Sequence, residues 1–247
     1  MAESKNLLVI EDCAQAHGAR IGDRSVGSFG DANAWSFCQD KIITTGGEGG
    51  MVTTNDEDLW SRMWAIKDHG KSYEAVFNQK HPPGFQWLHE SWGTNWRLTE
   101  AQSSVGRIQL SHMSEWSATR AMNAALLRSR FDRIPAVHVP WPEKGLTHAW
   151  YRLYVHVKED ALKDGWSRDR IQAACSDRGL VLSVGSCSEI YLEKCFQASN
   201  LGPYQPLPNA RKMSGLCLAF LVHPGLTASS LHELADVFEE VMTESTR

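Results

Sequence analysis

Short apolar runs with polar interruptions organise the first part of the chain. Residues 7–10, 32–37 and 51–54 each carry apolar or β-forming side chains and each stop at polar or glycine-rich positions, as strands of an α/β sheet do. The first run is expected to be a buried strand that delivers Glu11 and Asp12 at its carboxyl end. Asn55-Asp56-Glu57-Asp58 places acceptors and acids where a helix begins, and Leu59, Met63 and Ile66 recur at helical spacing until His69-Gly70. Residues 71–92, with Pro, Gly and aromatic side chains, follow no period and read as a loop over a site or against a neighbour.

Thr99 followed by Gln102 makes a capping box, and Ala101, Val105, Ile108 and Met113 continue a helical stripe that runs, with room for a break, to about residue 133. Beyond it, residues 137–141 are strand-like, and 151–157 alternate with mostly apolar odd positions, as a half-buried strand does. A helix over 167–178, a strand over 180–184, a helix near 208–214, a strand over 217–222 and a helix over 227–242 complete the pattern. The last places Leu231, Leu234, Phe238 and Val241 on one face. The expected organisation is an α/β portion over residues 1–115, then a linking helix and a small α+β domain over 116–247.

Composition removes several function classes. A net charge of −4, with Lys and Arg scattered among acids, lacks the basic stripe of a nucleic-acid binder. The longest apolar runs, 7–10 and 216–222, are far shorter than a membrane span. No charged-then-apolar leader pattern opens the chain, and the six cysteines show neither CxxC pairs nor metal spacing. They read as reduced thiols of a cytoplasmic protein. Ten tryptophans suit a core or subunit interface; a carbohydrate cleft would leave the blocks around Asp12 and Lys41 without a role.

Lys41 is the candidate for chemistry. It ends Ser36-Phe37-Cys38-Gln39-Asp40-Lys41 and precedes Ile42-Ile43-Thr44-Thr45-Gly46-Gly47-Glu48-Gly49-Gly50. A partly desolvated amine is a nucleophile, and a glycine-rich loop lets backbone approach a ligand. Asp12 taken alone is equally a strand-end cap. Taken with Lys41 it suits pyridoxal phosphate chemistry, in which a lysine holds the cofactor as an imine and an aspartate faces the pyridinium nitrogen.

Several ordered blocks resemble the DegT/DnrJ/EryC1/StrS family of pyridoxal-phosphate-dependent sugar aminotransferases. They are Glu11-Asp12-Cys13-Ala14-Gln15-Ala16-His17-Gly18-Ala19, Val26-Gly27-Ser28-Phe29-Gly30-Asp31, Ser36-Phe37 with Lys41, Gly47-Glu48-Gly49-Gly50-Met51-Val52, and Gly93-Thr94-Asn95-Trp96-Arg97-Leu98. The segments 100–110 and 207–225 also fit. The resemblance implies an α/β fold, aminotransferase fold type I: the later part of a large mixed-sheet domain plus a small α+β C-terminal domain. It further implies that Lys41 carries pyridoxal 5'-phosphate as an imine and shuttles the proton. Asp12 would hold the pyridine nitrogen, Gln15 would lie against the ring, and Ser36 would donate to the phosphate. Asn95 would reach the phosphate of a neighbouring subunit, which implies a homodimer or a complex with a longer homologue. Arg97 is left open between that interface, a substrate anion and a fold-stabilising role. Glu48 is expected to fix the glycine loop, and His17, His148 and His223 to be core or loop histidines.

The implied reaction moves an amino group from an amino acid, L-glutamate by resemblance, to a keto group on a nucleotide-linked deoxysugar, for polysaccharide or amino-sugar biosynthesis. A related branch has histidine in place of the lysine and dehydrates, so Lys41 favours amino transfer. Two departures accompany the resemblance. Cys38-Gln39-Asp40 differs from many members. The strand before Asp12 begins at residue 7, whereas the family places a phosphate-binding turn, a ring-stacking aromatic and further strands ahead of it. The expectation is therefore a fragment, a subunit needing an N-terminal partner, or a decayed paralogue, with apolar surface left uncovered beside the first strand and the Trp-rich segments.

Overall fold

A computed structural model describes residues 1–84, 86–203 and 205–247, and these form two compact units, Met1–Ser114 with Gly145–Ala149 and Glu115–Lys144 with Trp150–Arg247. In the first, β1 (Ile10–Asp12) is followed by the short hairpin β2 (Arg20–Ile21) and β3 (Arg24–Ser25), then β4 (Ala32–Ser36) and β5 (Gly50–Thr53). The main sheet is mixed, in the order β1-β4-β5. β1 runs parallel to β4, with Asp12 opposite Ala34, and β4 runs antiparallel to β5.

The first strand departs from expectation. It spans Ile10–Asp12 rather than 7–10, and it is an edge strand with Ile10 77% exposed and Leu7 and Leu8 also exposed. Val9 bonds chiefly to Asp31, just before β4: its N–H donates to Asp31 Oδ2 at 2.7 Å, and its carbonyl accepts from the N–H groups of Asp31 and Ala32 at 2.8 and 3.3 Å. The uncovered apolar surface expected beside this strand is present, and Trp87, Trp92 and Trp96 are exposed as well.

Helix α1 (Glu57–Lys67) starts where the acids predict. Asp56 accepts from the Leu59 N–H at 2.8 Å. The loop at 71–92 contains a short helix, α2 (Tyr73–Phe77), capped by Ser72; Phe85 lies outside the described residues. Helix α3 (Glu100–Ser111) opens on the full Thr99/Gln102 capping box, and the break falls at His112, before α4 (Met113–Phe131).

The second unit is built on the antiparallel sheet of β6 (Val137–His138), β8 (Leu153–Val157) and β9 (Cys217–Phe220). Between β6 and β8, β7 (Leu146–Thr147) pairs with β2, so Gly145–Ala149 packs with the first unit rather than with the residues around it. β8 (Leu153–Val157) buries Leu153, Val155 and Val157 and leaves Tyr154 and His156 half-buried, the alternation expected of it. Helix α5 (Arg168–Asp177) is capped by Ser167, and the short helices α6 (Lys194–Ala198) and α7 (Pro208–Ser214) precede β9 (Cys217–Phe220). Helix α8 (Ala228–Ser245) buries Leu231, Ala235, Phe238, Val241 and Met242. Residues 180–184 do not form a strand. Ser183 alone exchanges bonds with Ala219, at 3.3 and 2.7 Å, and Gly185, at φ +81°, turns the chain away.

Among the described residues no helix is long and apolar enough to cross a membrane, and all six cysteines are free thiols.

Candidate active site

β1 and β4 end side by side, so Asp12 and Ser36 both stand at the carboxyl edge of parallel strands, where α/β sheets receive ligands. Asp12 Oδ1 accepts the Ala14 N–H at 3.0 Å, which fixes one carboxylate oxygen and leaves the other for a partner. Gln15 is exposed in the turn that follows, closed by the Ala16 N–H on the Cys13 carbonyl at 3.0 Å. Ser36 Oγ accepts from the Cys38 N–H at 3.3 Å, so its own proton remains to be donated.

Lys41 sits on the loop after β4. Its N–H bonds to the Cys38 carbonyl at 3.1 Å, and its Nζ lies 3.9 Å from Asp40 Oδ1, with only 16% of the side chain accessible. Ile42 and Ile43, both buried, pin the loop from below. The Phe37 N–H reaches the Gly49 carbonyl at 2.8 Å and the Thr45 N–H reaches the Phe37 carbonyl at 3.2 Å, closing the loop on itself. Helix α3 clamps it from the side: Gln109 Oε1 accepts the Thr44 N–H at 2.8 Å, and Gln102 Nε2 donates to the Glu48 carbonyl at 2.8 Å. Gly46 and Gly47 have φ of +81° and +156°, and a Cβ at either would meet nothing within 4 Å. The loop tip is thus bare backbone that a ligand can approach closely.

Glu48 Oε1 accepts from Cys38 Sγ at 3.2 Å, which ties the glycine segment to the residue two after Ser36 and matches a loop-fixing role. Glu11 holds the neighbouring block, accepting the N–H groups of Gly27, Phe29 and Gly30 at 2.9, 2.6 and 2.7 Å. Partial burial pushes its carboxyl upward, but the three N–H donors and Arg24 outweigh it, so the carboxyl titrates below the ordinary Glu range. His17 is buried against Trp35 and Phe37, with ring centroids 5.2 and 6.1 Å away, as a core histidine would be. Burial pushes the Cys13 thiol up, and the Glu11 and Asp12 carboxylates add to the effect.

Asn95 is held apart, on a segment laid against the end of α1. It bridges Asp68, and its Oδ1 accepts from Arg97 Nε at 3.1 Å, while the same Nε lies 3.6 Å from Asp68 Oδ1. Within the chain, Arg97 meets Asn95 and Asp68. Sequence reading gave no weight to Asp68 or Gln109, and no role to Glu11. Only Glu11 left a signal, as an acid at a strand end ahead of a Gly-Ser-Phe-Gly turn whose N–H groups need an acceptor. The Lys41 amine, Asp12 carboxylate and Ser36 hydroxyl, with the bare Gly46-Gly47 backbone, suit a flat aldehyde that carries a phosphate, while the Asn95 amide lies apart from them.

The sequence pattern of the DegT/DnrJ/EryC1/StrS aminotransferase family matches residues 1–239. The crystal structure of an aminotransferase from Psychrobacter cryohalolentis superposes with a TM-score of 0.92 at 51% identity, covering 98% of this chain and 64% of that one. The dTDP-3-amino-3,4,6-trideoxy-alpha-D-glucose transaminase of Streptomyces venezuelae is 28% identical over 97% of this chain and 58% of its own length. A GDP-perosamine synthase of Caulobacter vibrioides is 40% identical over 161 residues, 64% of this chain and 40% of that protein. The chain thus spans at most about two thirds of the length of these relatives.

Proposed function

This chain belongs to the DegT/DnrJ/EryC1/StrS aminotransferase family, and from that premise we propose that it transfers an amino group to a keto group on a nucleotide-linked deoxysugar, with pyridoxal 5'-phosphate as cofactor and an amino acid, L-glutamate, as donor. The fold is that of the family's fold-type-I enzymes, which depend on this cofactor. The observation that carries the reading is the placement of Lys41 on a clamped, glycine-tipped loop beside the shared carboxyl edge of β1 and β4, where Asp12 and Ser36 stand. The transaminases among its relatives, named for dTDP- and GDP-linked amino sugars, support the substrate class. The free thiols support a reducing, cytoplasmic setting.

When bound, the cofactor supplies an electron sink for the carbanion formed as the donor loses its α-proton. The chain's own residues then have distinct tasks. Lys41 Nζ would attach the cofactor and, as a shielded amine, would act as the general base that accepts and returns the donor's α-proton. The second oxygen of Asp12 would hold the proton on the ring nitrogen, Gln15 would lie against the ring, and Ser36 Oγ would donate to the phosphate. Asn95 would donate to the phosphate of a second copy, which makes the working unit a homodimer.

A second reading is favoured by the exposed edge at Ile10 with Leu7 and Leu8: the chain acts as a subunit whose site is completed by a longer homologue that covers this edge. Borohydride trapping separates the two. Purified chain is mixed with pyridoxal phosphate, reduced and digested, and the phosphopyridoxyl mass is mapped, with Lys41→Ala as control. Adduct on Lys41 in the chain alone supports the first reading, and adduct only after a longer homologue is added supports the second. No adduct on Lys41 in either case overturns both.

A further inference from the structure

The segment that carries Asn95 is fastened to the end of α1 more tightly than a surface loop requires. Thr94 and Trp96 donate their N–H groups to the carbonyls of Ile66 and Lys67 at 2.7 and 2.9 Å, and the His69 N–H donates to the Thr94 carbonyl at 2.9 Å. The two stretches touch through glycines, since a Cβ on Gly93 would stand 2.2 Å from the Gly70 nitrogen. Asp68 lies at this junction, with only 11% of its side chain accessible, and its Oδ1 lies 3.3 Å from Lys71 Nζ and 3.6 Å from Arg97 Nε. One buried carboxylate therefore faces two cations.

A guanidinium can only donate. Arg97 Nε at 3.1 Å therefore identifies the atom of Asn95 that faces it as the oxygen, and the amide NH2 must point the other way. An outward NH2 on a carboxamide whose oxygen is held from behind by a guanidinium is an arrangement for presenting a donor to an anion.

We propose that Asp68 is a positioning residue which, through Arg97, locks the Asn95 carboxamide with its NH2 outward, to serve a phosphate monoester on a second copy of this chain. The inference rests on the pyridoxal phosphate reading above. Asp68 fixes the guanidinium, the guanidinium holds the amide oxygen, and neither touches the cofactor. Without the anchor the carboxamide can flip and present its oxygen to the phosphate, which is repulsive.

The test compares pyridoxal phosphate with pyridoxal, which lacks the phosphate, by titrating each into the chain and quantifying borohydride-trapped adduct on Lys41. Nucleoside diphosphate is added as a competitor to separate a cofactor phosphate from a sugar-nucleotide one. The variants are Asp68→Asn, Arg97→Lys and Asn95→Ala. Arg97→Lys keeps the charge, loses the Nε geometry and leaves Lys71–Asp68 intact, so it stays informative should Asp68→Asn fold poorly. Each variant is expected to weaken pyridoxal phosphate about tenfold, the worth of one charge-assisted hydrogen bond, with pyridoxal unchanged. The double variant Arg97→Lys/Asn95→Ala should be no worse than Asn95→Ala alone. Equal weakening of both ligands, additive losses, or a nucleoside diphosphate that competes in wild type but not in Arg97→Lys would overturn the relay while leaving the cofactor reading standing. A wild-type chain that traps neither ligand, alone or with a longer homologue, overturns the cofactor reading and the relay with it.

Discussion

The side-chain oxygen of Gln109 accepts the backbone N–H of Thr44 at 2.8 Å, joining the last turn of α3 to the loop three residues beyond Lys41. This contact and its companion, Gln102 Nε2 on the Glu48 carbonyl, are the side-chain hydrogen bonds that α3 makes to the loop. Gln109→Ala removes the acceptor for the Thr44 N–H, at a cost of about 1 kcal/mol locally. Faster hydrogen exchange at Thr44 and neighbouring amides, with the global unfolding midpoint nearly unchanged, is the expected result. Unchanged exchange would show that the loop is held without the Gln109 contact.

Glu11 anchors three backbone N–H groups, and its charged form is the one that the native fold prefers. A carboxyl held below the ordinary value of 4.5 contributes stability that is fully present above 4.5 and is lost as pH falls through its lowered native value. Glu11→Gln should therefore cost about 1 kcal/mol near pH 7, a modest figure because solvent screens a half-exposed group. The gap between wild type and variant should close below pH 4.5. Thermal unfolding of both proteins between pH 3 and pH 7 measures it, and a gap that stays constant with pH would remove the charge from the explanation.

What could be read from sequence was local. The Thr99/Gln102 box, the Asp56 cap and the 153–157 alternation involve residues at most four apart, so propensity and period determine them. Lys41, Asp12, Ser36 and Asn95 could be named because they fall in contiguous blocks. The groups that hold them in place could not. Gln109 reaches Thr44 across 65 positions, and Asp68 meets Arg97 only because Gly70 and Gly93 let two backbones touch. The two errors in strand placement share a cause. At 7–10 and at 180–184 the apolar content is right for a strand, but pairing depends on a neighbour that sequence does not specify, Asp31 in one case and Ala219 in the other.

Phe131, Phe220 and Phe238 meet as a trio at the centre of the second unit, with ring centroids 4.8, 4.8 and 4.9 Å apart and no exposed surface on any of them. They join α4, β9 and α8. Phe238→Ala should destabilise this unit by about 3–5 kcal/mol, and Phe238→Leu by less than about 1.5 kcal/mol. Urea unfolding followed by tryptophan fluorescence reports both. Near-equal midpoints for the two variants would mean that the trio is not the packing centre.

The six thiols should divide by burial. Thiolate, not thiol, attacks a disulfide reagent, so reactivity needs both access and an ordinary titration range. Burial pushes the Cys175 thiol up to about 12, against a small opposing pull from Arg178, and the residue has no exposed surface. Cys13 is equally buried and its thiol is also pushed up, first by burial and then by the Glu11 and Asp12 carboxylates. Cys187 and Cys195 are exposed. At pH 8 an aromatic disulfide reagent should therefore label Cys187 and Cys195 in a fast phase, and Cys13 and Cys175 only as fast as the protein opens. Cys187→Ser/Cys195→Ser should abolish the fast phase and leave the slow one, and adding denaturant should merge the slow phase into the fast. A fast phase that survives the double substitution would place a reactive thiol elsewhere. Cys38 is then the first to map, because the residue is only half-buried and its Sγ bonds to Glu48 at 3.2 Å.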